Sequence, residues 1–97
     1  MSERHVASLR IGADHPALAG HFPGHPVVPG VVLLQRVAAA LSAWRGQRVA
    51  RLDVKFLRPL LPDETARIAL AGAAARIDFE ITRGDGAVLA RGHLEAA

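Results

Sequence analysis

The chain has 97 residues, 51% of them hydrophobic, with 12 basic residues against 9 acidic ones and no cysteine. That length fits one domain over residues 1–97, and the absence of cysteine excludes disulfides and thiolate catalysis. Three Phe, one Trp and no Tyr argue against a base-stacking nucleic-acid surface, and the +3 charge, carried mostly by Arg, suits an acidic protein partner better. No run reaches the roughly 18 uninterrupted apolar residues of a membrane span. The opening MSERHVASLR lacks an apolar signal core, so a cytoplasmic location and no membrane association are expected.

Residues 5–11 alternate, with Ala7, Leu9 and Ile11 on one face, which predicts a short strand. Residues 12–29 read as loop, rich in Gly and Pro. The run VVLLQRVAAALSAW, residues 31–44, is too long for a typical strand and suits a helix of about four turns ending at Gly46. It is apolar nearly all round, so it is expected to be buried. Residues 50–56 alternate again, and Pro59, Pro62 and Asp63 end that strand. Weak alternation over residues 66–71 and clean alternation through Ile77, Phe79 and Ile81 give two more strands. Gly72 to Ala75 is open between a turn and a bulge. Gly84-Asp85-Gly86 marks a hairpin into a last strand over residues 87–94. The order predicts an α+β domain, with an antiparallel sheet curled around one long helix.

The stretch HFPGHPVVPGVVLLQ, residues 21–35, concentrates the chemistry. His21 stands in a loop that leads into the helix. A loop imidazole moves protons near neutral pH, and free N–H groups at a helix start polarise a carbonyl, which together suit an acyl-thioester site. By itself a loop histidine more often serves only to hydrogen-bond its loop. His15, His21 and His25 are six and four residues apart, a spacing that matches no common zinc pattern, so no metal is expected.

DHPALAGHFPGHPVVPGVVLL, residues 14–34, resembles the signature of bacterial 3-hydroxyacyl-[acyl-carrier-protein] dehydratases of the hotdog fold. The family pattern is HFPG, a variable residue, P, two residues, PG, then an apolar helix, and all of it is present. FLRPLLPDE, residues 56–64, also resembles the family's strand-to-turn segment. The resemblance implies dehydration of a 3-hydroxyacyl thioester on acyl-carrier protein, without a cofactor, in a homodimer or higher homo-oligomer with sites between subunits. It implies His21 as the base and the Gly30 N–H as the donor to the thioester oxygen.

Gln35 departs from the pattern, since the family places Glu or Asp there. A neutral amide donates a hydrogen bond but has no useful proton to give, so Gln35 is read either as a positioning group or as a buried polar residue bonded to a neighbour. His25, at the variable position, is a substitute acid or an exposed loop residue. Phe22, Pro29, Val31 and Leu34, with Val28 and Leu33, are candidates for the acyl-chain contacts; core packing explains the apolar ones equally well. Two other readings stand beside dehydration: a thioesterase on the same fold, and a non-catalytic acyl-binding or partner subunit that has lost the carboxylate.

Overall fold

The computed structural model describes residues 3–18 and 27–97. Strand β1 (Glu3–Arg10) is followed by a 3₁₀ turn (Pro16–Leu18), and helix α1 spans Gly30–Arg45. Four strands follow: β2 (Val49–Phe56), β3 (Thr65–Gly72), β4 (Arg76–Arg83) and β5 (Val88–Ala96). They form one sheet in the order β1-β3-β4-β5-β2, antiparallel at every junction. The expected α+β arrangement of a sheet on one helix is thus the observed one. The residues left open between turn and bulge connect β3 to β4 as a turn.

Strand alternation decides what faces the helix. Leu9 lies opposite Ala66, Ile68 opposite Ile81, Leu70 opposite Phe79 and Ile77 opposite Leu94, and all eight are buried. They meet Val32, Leu33, Val37, Ala40 and Leu41 of α1 in one cluster. The reverse face of the sheet is charged. On the edge strand β2 it presents Arg51, Asp53 and Lys55, all exposed, and Asp53 Oδ2 lies 3.1 Å from His93 Nε2 of β5. Among the described residues, the far side of β2 pairs with no strand.

The helix is not buried all round. Val31, Gln35, Ala39 and Ser42 are exposed, one turn apart along a single stripe. A sheet laid on one side of a helix covers only the residues that point at it. Val31, Ala39 and Ala43 on the other side are as apolar as the buried residues, so composition alone hides the asymmetry.

The C-terminal end of α1 is pinned. Gly46 adopts a left-handed φ of 66° and its N–H donates to Ser42 O at 2.8 Å, the glycine stop expected from the sequence. Arg45, its side chain only 13% exposed, donates to Ala74 O at 2.9 Å and to Gly72 O, and pairs with Glu3 at 3.3 Å. Its guanidinium carbon lies 4.1 Å from the Trp44 ring centroid, and His5 stacks on that ring. One side chain thus joins the helix end, the β3–β4 turn and the start of β1. Arg45→Ala removes charge-assisted bonds to carbonyls and is expected to cost about 2 kcal/mol. Thermal unfolding followed by circular dichroism should show a fall of about 10 °C. A fall of only a degree or two would mean that the clamp contributes nothing.

The β4–β5 hairpin is closed by Asp85, which accepts from the Ala87 N–H at 3.0 Å and from Arg83 at 2.9 Å. The hydrogen bond from Arg83 holds the Asp85 carboxyl below its ordinary value, and the same bond raises Arg83. A depressed carboxyl contributes its stability above the unfolded value and loses it as pH falls through the folded one, so this turn loosens only in acid.

Candidate active site

Prolines and glycine start α1. Pro29 is the N-cap, at φ −59° and ψ 143°, and has no side chain to cap the helix. The Val32 N–H turns back to Pro29 O at 3.0 Å. The N–H groups of Gly30 and Val31 have no acceptor within the helix, as at any helix start, and carry the positive end of its dipole.

The segment after β2 stands beside this helix start. The Leu57 and Arg58 N–H groups both donate to Leu89 O, at 2.7 and 3.1 Å. The Val28 N–H donates to Leu60 O at 2.8 Å, and the Asp63 N–H to Ile11 O at 2.8 Å. The Leu61 N–H bonds Glu64 Oε1 at 2.8 Å. The backbone from Phe56 to Glu64 is therefore fixed from several sides. It leaves a cleft of about 430 Å³ lined by Val28, Gly30 and Leu33 on one side and Phe56, Leu57, Arg58, Pro59 and Leu60 on the other. That volume lies within the usual range for small-molecule sites, and the lining is apolar except for Arg58.

The Phe56 ring points at Gly30. A Cβ built on Gly30 would stand 2.7 Å from Phe56 Cζ and 3.1 and 3.2 Å from the two Cε atoms. Glycine is thus needed here because an aromatic ring occupies the space a side chain would take.

Of the site residues expected from sequence, Gly30 lines this cleft, as do Val28 and Leu33. Pro29 caps the helix beside it, while Leu34 and the 60%-exposed Val31 do not line it. Gln35 lies one turn beyond Val31 on the uncovered stripe and is exposed, so its reading as a buried polar residue does not describe it in this chain. His21, Phe22 and His25 lie outside the described residues. The wall from Phe56 to Leu60 was not among the expected site residues. Its signal was the resemblance of residues 56–64 to the dehydratase segment, since strand alternation by itself only marks Phe56 as inward-facing.

The comparisons with known proteins agree with this frame. The family described as ApeI-like, ApeI dehydratase, matches residues 1–93. A 3-hydroxyacyl-[acyl-carrier-protein] dehydratase FabZ of Symbiobacterium thermophilum is 32% identical over 91 residues, covering 84% of this chain and 64% of that protein. The FabZ of Geobacter metallireducens is 31% identical over 86 residues, covering 76% of this chain and 57% of that protein. The chain thus spans less than two thirds of the length of these relatives. Among solved structures, the dehydratase heterocomplex ApeI:P of Xenorhabdus doucetiae superposes with a TM-score of 0.82 at 19% identity, over 100% of this chain and 94% of that one. At that identity the superposition speaks for the fold. With a family match over nearly its whole length and a five-stranded sheet on one helix, the chain belongs to the ApeI-like dehydratases of the hotdog fold.

Proposed function

We propose that this single hotdog domain, residues 1–97, is a hydro-lyase that removes water from 3-hydroxyacyl thioesters carried on acyl-carrier protein. The observation that carries the reading is the start of α1 at Gly30, opening into an apolar cleft just after the HFPG motif. The acyl chain lies in the cleft and the thioester oxygen accepts from the Gly30 N–H. His21 takes the proton from the carbon next to the carbonyl, and the negative charge moves onto the thioester oxygen, where the helix start stabilises it. The charge then returns to form the carbon–carbon double bond as the hydroxyl leaves with the proton that His21 took, which releases water and restores the neutral imidazole. Gln35 is exposed on the uncovered stripe of α1 and does not line this chain's own cleft, so it holds the departing hydroxyl only across a pair of subunits, each chain lending it to the other's site. No cofactor is needed, because the thioester itself acidifies the adjacent carbon. The exposed Lys55 and Arg58, at the end of β2 and in the cleft wall, suit an acidic carrier protein.

A second reading follows from Gln35. It lies on the uncovered helix stripe, where another hotdog chain in a dimer would sit, and the solved ApeI:P dehydratase is a heterocomplex. In this reading the chain pairs with a homologous subunit that brings the carboxylic acid. Incubating the chain alone with 3-hydroxyacyl-carrier substrates of several lengths, followed by mass spectrometry, separates the two. Loss of water without a second protein is the expected result. No loss alone, with loss restored by a homologous dehydratase subunit, would replace the first reading by the second. Release of free acid without an alkene would make the chain a thioesterase.

A further inference from the structure

Phe56 stands out among the large apolar residues of the helix-facing side. Phe79, on the same face, is 3% exposed, whereas Phe56 is 47% exposed although it points at the start of α1. Leu57 beside it is 37% exposed. Apolar area left uncovered next to an open cleft is area that an apolar ligand covers favourably. The ring tip also fills the place of a Cβ on Gly30, the residue whose N–H donates to the thioester oxygen in the function proposed above.

From this geometry we infer that Phe56 is the specificity-determining residue of the acyl site. Its ring sets the width of the cleft at Gly30, admits slender unbranched acyl chains and turns away branched or aryl groups at the carbons nearest the thioester. This rests on the acyl-thioester reading of the cleft. Gly30 and Phe56 then form a matched pair. A methyl group on Gly30 leaves the N–H in place but pushes the ring, and because the ring is half exposed it moves without unfolding the domain. Opening the cleft is therefore a matter of the ring, and the amide is the part that stays constant.

The test uses amide analogues of 3-hydroxyacyl-pantetheine, which are not hydrolysed, in a straight-chain and a branched or aryl series. Calorimetric titration is carried out on wild type, Phe56→Ala, Gly30→Ala and the double variant. Wild type is expected to favour the straight series. Phe56→Ala should move the ratio toward the bulky series by about tenfold or more, since a methylene or two in an apolar pocket is worth that much. Gly30→Ala should weaken the straight series, and the double variant should recover it. An equal change for both series, or additive effects of Gly30→Ala and Phe56→Ala, would overturn the inference. So would a Phe56→Ala variant that changes only the oligomeric state in light scattering, because Phe56 would then be an interface residue. Turnover is read separately. A shifted profile without dehydration by any variant keeps the inference and removes the hydro-lyase reading; dehydration with an unshifted profile does the reverse.

Discussion

His21→Ala is expected to lower the rate of dehydration by about 10²–10⁴-fold while leaving thermal unfolding unchanged. The expectation comes from the chemistry. The proton to be removed is only weakly acidic, and imidazole has an ordinary basicity matched to neutral pH. With the imidazole gone, the Gly30 N–H and the apolar cleft remain, so on the proposed function substrate binding should persist and the loss should fall on turnover. A folded His21→Ala protein with unchanged turnover would remove the role altogether.

Gln35→Glu is expected to raise dehydration by about 10²-fold, at the lower end of what a general acid contributes. The substitution restores a carboxylic acid at the family's position on nearly the same side chain, and the helix tolerates it because Gln and Glu have similar propensity. The exposure of Gln35 in the single chain adds a condition. A carboxyl in water is ionised at neutral pH and protonates nothing. Only when a second subunit covers the stripe does desolvation raise its pKa enough for it to act as an acid. The gain should therefore track association: present where light scattering shows a dimer, absent where dilution leaves monomers. An ionised carboxyl also resists burial, so the variant should dimerise less tightly at high pH than at low pH. A stable, dimeric Gln35→Glu protein no faster than wild type would rule out a lost acid. His25→Ala in that background then distinguishes a replacement donor, which predicts a fall in residual rate, from a binding role, which does not.

Local signals carried the fold. Gly46 ends the helix because a left-handed turn there costs glycine little, and Gly84-Asp85-Gly86 turns the chain because Asp85 bonds the Ala87 N–H two residues on. Such features act over a few residues and are legible in the sequence. The site was legible in half. Gly30, Val28 and Leu33 lie within the motif, but the opposing wall depends on a register. Phe56 stands opposite Ala90 across β2 and β5, and only that pairing carries its ring to the start of a helix 26 positions earlier. The Arg45 clamp was hidden for the same reason. A basic residue in the last turn reads as an ordinary partner for the helix dipole, while its carbonyl acceptors lie on the β3–β4 turn. The exposed stripe of α1 was concealed differently: Val31 and Ala39 are as apolar as buried residues, and only Gln35 and Ser42 among them are polar.

The outward charges of β2 bear on how two copies would recognise one another. Along this edge the signs run plus, minus, plus through Arg51, Asp53 and Lys55. An antiparallel copy centred on Asp53 would set Asp53 against its own image and Arg51 against Lys55, two kinds of like-charge contact. Moving the centre to Leu52 sets Arg51 against Asp53 twice, and moving it to Val54 sets Asp53 against Lys55 twice. The strand thus carries a key that rejects one alignment and accepts its neighbours on either side. If two subunits met through this edge, charge would favour those two alignments over the one centred on Asp53, and salt should blur that choice.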